Sequence, residues 1–181
     1  LSAALNACRD ADAVLLHSDF EAFLPDDASQ HAGLLRQVVA DISLLRAPVV
    51  AAVEKGAANA GFVLALACDR MVCNEDGRYG GLALHDYRAQ LIMLDEVVAQ
   101  RLGVCANEWI LSGAAYSGRE LQQCSPSIHA CSADRVLASA QSLVDGLASI
   151  KRGIFGHKSS LVARIQQREQ SATVATEATD A

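Results

Sequence analysis

The 181-residue sequence has no cluster of lysine and arginine, and its formal net charge is −6. Neutralising phosphates takes concentrated positive charge, so neither a nucleic acid nor an anionic membrane is expected as a partner. Long apolar runs are also missing. The longest, Gly61 to Cys68, falls far short of the roughly 20 residues that a bilayer span requires. No basic flank followed by a hydrophobic segment stands at the N-terminus, so the expected location is cytoplasmic. The six cysteines (Cys8, Cys68, Cys73, Cys105, Cys124, Cys131) include no Cys-x-x-Cys pair and no His/Cys spacing of the kind that binds zinc. A chain of this length does not need disulfide staples, so reduced core or surface thiols are expected, with no metal site. No internal repeat is visible.

What is present is a 51% hydrophobic composition over a length that suits one globular domain. "LSAALNACRDA" carries apolar residues at helical spacing, and "DAVLLHS" is a short buried-strand pattern. After the Pro- and Asp-containing loop "DFEAFLPDDASQ", Leu34, Leu35, Val38, Val39, Ile42 and Leu45 share one helical face. Pro48 ends that helix, and "VVAAVE" reads as a strand apolar on both faces, as a parallel sheet demands. The loop "KGAANA" leads into a helix "GFVLALACD", "RMVCNE" into a third strand, and "GRYG" into a turn. Helical spacing returns between Leu84 and Leu102 and in "ANEWILSG". In "YSGRELQQC", Ser117 is an N-cap with Glu120 three residues on, a capping-box pattern. "SIHAC" suits a short strand and "DRVLASAQSLVDGLASI" an amphipathic helix. Strands alternating with helices imply an α/β layered fold. The domain is expected over residues 1–168, with the Ala/Thr/Glu-rich 169–181 as a tail or linker.

Within "APVVAAVEKGAANAGFVLALACDRMVCNEDGRYG", Pro48, Val49, Ala51, Ala52, Val53, Ala57, Gly61, Leu64, Ala65, Ala67, Cys68, Asp69, Tyr79 and Gly80 fall in step with a known pattern. The stretch resembles the crotonase superfamily, which includes enoyl-CoA hydratases. Gly103 and "LSGAAYSGRELQQCSPS" extend the likeness. Tyr116, Gly118, Glu120 and Leu121 are similar to the branch of decarboxylases and dehydratases that install β-branches on carrier-bound polyketide intermediates. The resemblance implies a crotonase-like spiral of ββα/βαβ units, and binding of an acyl thioester on CoA or on the phosphopantetheine of a carrier protein. No other cofactor is implied. In such enzymes two backbone N–H groups hold the thioester oxygen against developing negative charge, and side chains move protons.

Carried onto this sequence, the second N–H donor falls on Ala60, where two of the three glycines of the pattern are replaced. An alanine keeps its N–H, and a helix start adds positive potential, but a plain small-residue helix start fits the same residues. The first donor falls at Asp27. There Asp26 and Asp27 would face an oxygen about to become negative and Pro25 lacks an N–H, so a solvated acidic turn capping the next helix is the expectation. The two acid/base carboxylates fall on Val63 and Ala83, neither of which can transfer a proton. The polyketide decarboxylase branch uses a first-loop lysine, and no lysine lies between Leu1 and Glu54. His85, in "HDYR", is a weak substitute base, and His17 and His31 flank the acidic loop. Lys55 is a candidate contact for a phosphate or thioester arm.

The resemblance also implies that the fold is truncated at its N- and C-terminal ends, as in a domain taken from a larger polypeptide. The expected function is therefore a non-catalytic structural or interaction module of a multidomain polyketide-type synthase. Its partners would be a neighbouring synthase domain, an acyl carrier protein, a full-length crotonase-fold enzyme or its own copy. The alternative is a decarboxylase or dehydratase of acyl thioesters with an atypical base, and a third is ligand binding without turnover.

Overall fold

The computed structural model describes residues 1–21, 28–80 and 92–149. In chain order the elements are α1 (Ser2–Ala7), β1 (Val14–His17), α2 (Ala28–Leu44), β2 (Val49–Val53), α3 (Asn59–Ala67), β3 (Arg70–Asn74) and β4 (Arg78–Gly80). These are followed by α4 (Ile92–Leu102), α5 (Cys105–Ser112), β5 (Ala115–Ser117), α6 (Gly118–Cys124), β6 (Ile128–Cys131), a 3-10 turn (Ala133–Arg135) and α7 (Val136–Ala148). Four strands form a parallel sheet in the order β1-β2-β3-β6, and β4 pairs antiparallel with β5.

The sheet is covered on both faces, which explains why β2 is apolar at every position. Side chains alternate along a strand, so Val49, Ala51 and Val53 join a front core with Phe62 to Ala67 of α3 and with Val39 and Ile42 of α2. Val50, Ala52 and Val72 join a separate back core with Val136, Ala140 and Val144 of α7. Those three α7 positions recur every four residues and form the single apolar stripe of an amphipathic helix. Helix α3 differs, with Gly61 through Ala67 all buried. A helix apolar all round must be enclosed, and α3 is packed between α2, α4 and the sheet.

Two expectations need correction. "GRYG" is not a turn. Arg78–Gly80 is a strand, with Tyr79 opposite Tyr116 and its side chain fully buried. Three residues are too few to show an alternation in sequence. The cysteines are not all free thiols either, because Cys105 and Cys124 form a disulfide across a separation of 19 residues, with Cα atoms 5.9 Å apart. The bridge joins the first residue of α5 to the last of α6, a juxtaposition made by tertiary packing and invisible to spacing rules. Cys8, Cys68, Cys73 and Cys131 form no disulfide among the described residues. The expected tail lies outside the described residues. Among the described residues, no helix is long and apolar enough to cross a membrane.

Candidate functional site

The start of α3 lies just past the C-terminal end of β2, on the edge of the sheet where open α/β folds bind ligands. Ala58 precedes the helix in extended conformation (φ −123°, ψ 157°) and provides no side-chain cap. The first helical bond runs from the Phe62 N–H to the Ala58 carbonyl at 3.2 Å. The N–H groups of a helix's first turn have no partner within the helix, so those around Ala60 depend on something other than a cap. Asn59 adopts φ +48°, a left-handed conformation that asparagine tolerates better than most residues. Its Oδ1 is buried and has no hydrogen-bond partner among the described residues. Gly61 is fixed by packing, since a Cβ there would run into the carbonyl oxygen of the buried Phe20.

Val63 lies one turn into the helix and is 0% exposed, inside the front core. The structure thus places an isopropyl group where the resemblance expects a carboxylate. Nearby, Phe62 and Tyr79 approach with ring centroids 6.4 Å apart. The Tyr79 hydroxyl donates toward the Asn74 and Val53 carbonyls at 3.1 and 3.4 Å. Burial pushes the Tyr79 hydroxyl well above its ordinary pKa and the neighbouring Cys73 thiol up to about 12. Neither is poised to exchange a proton near neutral pH.

Charged groups collect along the same strand ends. His17 Nε2 lies 3.0 Å from Glu54 Oε2, with the side chains 42% and 45% exposed. Lys55 Nζ pairs with Asp19 at 3.5 Å, both largely exposed. No local pattern announces the His17 to Glu54 contact. The signal that would have found it is the parallel register, which sets His17 against Ala52 and leaves Glu54 just beyond. Lys55, expected as a phosphate or thioester contact, has Asp19 as a partner in a solvated pair of the kind worth little.

The Cys-Asp-Arg that ends α3 is structural. The Asp69 carboxylate accepts from the Val49 N–H at 2.7 Å, and the Asp69 N–H donates to the Val49 carbonyl at 2.8 Å. Arg101 of α4 donates through Nε to the Leu66 carbonyl at 2.9 Å, with Nη2 3.9 Å from Asp69. A cation at a helix C-terminus complements the orphan carbonyls there. Burial lowers the Arg101 pKa, while Asp69 opposes that shift.

Of the positions singled out in sequence, the structure brings Ala60, Val63 and Lys55 to one region. Asp27, Ala83 and His85 lie outside the described residues, as does the His31 side chain. Among the described residues, no group of three or more His, Cys, Asp or Glu side chains is placed to hold a metal ion.

The sequence profile of the enoyl-CoA hydratase/isomerase family matches residues 19–179. The chain belongs to that family. No curated protein sequence matches it significantly. Among solved structures, an enoyl-CoA hydratase from Polaromonas sp. JS666 superposes with TM-score 0.69 at 22% identity, covering 97% of this chain and 76% of the other. A structure of a dehydratase/decarboxylase enzyme couple involved in polyketide β-branching gives 0.68 at 20% identity, covering 97% and 80%. Methylmalonyl-CoA decarboxylase gives 0.72 at 12% identity, covering 88% and 68%. The shared fold is the crotonase fold, and these identities speak for fold alone. As an enoyl-CoA hydratase/isomerase family member, the chain keeps the architecture around α3 but carries Val63 on its buried face.

Proposed function

We propose that this member of the enoyl-CoA hydratase/isomerase family does not hydrate or isomerise acyl thioesters, and that it works as a non-catalytic crotonase-fold module through protein contact. Its setting is within or beside a polyketide-type synthase, with an acyl carrier protein or a full crotonase-fold enzyme as partner. One observation carries the reading. Val63 is wholly buried in the front core where the family's acid/base carboxylate is expected. General acid–base catalysis needs a titratable group within hydrogen-bond reach of the moving proton, and an isopropyl group has none. Tyr79 and Cys73, the buried hydroxyl and thiol nearby, hold their protons too tightly to replace it.

A second reading keeps turnover. Decarboxylating an acyl thioester needs stabilisation of the enolate oxygen more than it needs a carboxylate base. The uncapped start of α3 favours it, because first-turn N–H groups can donate to an enolate oxygen, while Asn59 Oδ1, without a partner among the described residues, can accept from an N–H of the thioester's pantetheine arm.

Native mass spectrometry of the purified chain with acyl carrier proteins and acyl-CoAs, read for complexes and products in the same run, separates the two. A retained protein complex with no change in acyl mass supports the contact role. Hydrated or decarboxylated product above the protein-free control overturns it, and loss of that product in Asn59→Gly would assign turnover to the α3 start.

A further inference from the structure

On the back of the sheet, opposite α3, an open groove of about 800 Å³ runs between β3, β6 and α7. We propose that this groove is a binding site for an organic phosphate monoester carrying an apolar chain, separate from the α3 region. The charge pattern points there first. In a chain of net charge −6, the charged residues lining this groove are Arg70 and Arg135, accompanied by His129 and by no carboxylate. Guanidinium groups keep their charge at any working pH and present forked donors that match phosphate oxygens. Two fixed positive charges balance a phosphate dianion better than a singly charged carboxylate.

The donors are partly held and partly uncommitted. Arg70 donates through Nη1 to the Pro126 carbonyl at 2.7 Å, which ties its guanidinium to the rim and leaves Nε and Nη2 for a ligand. The Arg135 side chain and the Ser142 hydroxyl make no hydrogen bond or ion pair among the described residues. Leu143 and Leu147, half-buried where they pack against the back core, also line the groove and give an apolar surface for a chain attached to the phosphate.

The neighbouring sheet edge argues against a peptide strand as occupant. Strand β6 closes the sheet, and an unprotected edge would invite another strand. Its spare N–H groups are already used: Ile128 donates to the Ser125 carbonyl at 3.1 Å and Ala130 to Gln122 Oε1 at 2.6 Å. Recognition therefore falls to the side chains, and those favour an anion.

The test is an amide NMR titration of the full chain with n-octyl phosphate, alongside inorganic phosphate, octanoate and octyl glucoside. Saturable shifts confined to β3, β6 and α7 are expected, with octyl phosphate binding tightest. Arg135→Glu, at an exposed residue, should weaken octyl phosphate by about tenfold or more while leaving the melting temperature unchanged. Arg70→Gln should weaken it as well. Absence of saturable shifts at millimolar octyl phosphate would overturn the site. Equal binding of octyl glucoside, or equal binding by Arg135→Glu, would reduce the groove to an apolar patch and overturn it too. Octanoate binding as tightly as octyl phosphate would overturn the phosphate assignment.

Discussion

Helices α3 and α6 both begin at an extended residue, and both have a glycine near the start pressed against a backbone carbonyl. Gly61 faces Phe20, and Gly118 faces Asn74. Their first turns differ. At α6 the Ser117 hydroxyl accepts from the Glu120 N–H at 3.3 Å, and the Glu120 carboxylate accepts from the Ser117 N–H at 2.7 Å, a complete capping box. At α3, Ala58 offers no side-chain cap, Asn59 is left-handed, and a buried amide oxygen stays without a partner among the described residues. One helix start is closed by its own side chains. The other is held by packing and has no side-chain cap of its own, which is the kind of helix start where a ligand can supply what the cap does not.

The sharpest way to break this comparison is to disturb the packing that holds α3. Gly61→Ala should destabilise by about 3 kcal/mol, because the added methyl meets backbone that cannot swing aside. Gly146→Ala is the control, since a Cβ there meets nothing within 4 Å inside α7, and it should stabilise by up to about 1 kcal/mol. Guanidinium unfolding checks both. A Gly61→Ala cost no larger than an ordinary surface change would mean that packing does not hold α3's start. At the other end of α6, Cys105→Ser opens a loop closed across 19 residues and should cost about 3 kcal/mol in oxidised protein. If the variant and wild type unfold alike without reductant, the bridge is not contributing.

How much of this was legible in sequence depended on how local the cause was. The capping box at Ser117 and Glu120 is a four-residue pattern and could be read directly. The apolar runs of β2 and α3 announced burial on all sides, and the structure places α3 in the front core and β2 between the front and back cores. The branch markers were less informative than they looked. Glu120 caps, Leu121 is core, and Gly118 makes room for the Asn74 carbonyl, so each has a structural reason to be there. Nothing local could show the disulfide, the pairing of β4 with β5, or the contact of His17 with Glu54 across 37 positions. At the candidate site, Val63 was legible as a side chain that cannot transfer a proton, while the meeting of Gly61 with Phe20 required the fold.

The capped side of the comparison is sharpened by Ser117→Ala, which removes the hydroxyl acceptor and should cost about 1 kcal/mol. The Glu120 carboxyl is held below its ordinary value of 4.5, first by the Ser117 N–H and then by the Ser117 hydroxyl. A depressed folded-state pKa means that this contribution is fully present above about pH 4.5 and fades as pH falls through the folded value. The gap between wild type and Ser117→Ala should therefore narrow in acid. A gap that stays constant down to the acid transition would remove Glu120 from the account.

The smallest effect is expected at the residue that most separates the two helix starts. Asn59 has a left-handed backbone and an Oδ1 without a partner among the described residues. Glycine accepts that backbone freely, so Asn59→Gly should change stability by less than about 0.5 kcal/mol, whereas Asn59→Ala should lose about 1 kcal/mol to the left-handed penalty. Neither substitution discards a hydrogen bond among the described residues, so any larger loss would mean that Asn59 is a packing element. Acyl-CoA affinity, measured by titration calorimetry on the same proteins, divides the remaining outcomes. Unchanged stability with weaker binding in Asn59→Gly would identify the open helix start as a ligand contact and favour the decarboxylase reading. Unchanged stability with no acyl-CoA binding in either protein would leave α3 a retained but unused relic of the family's site. Its difference from α6 would then record a lost function.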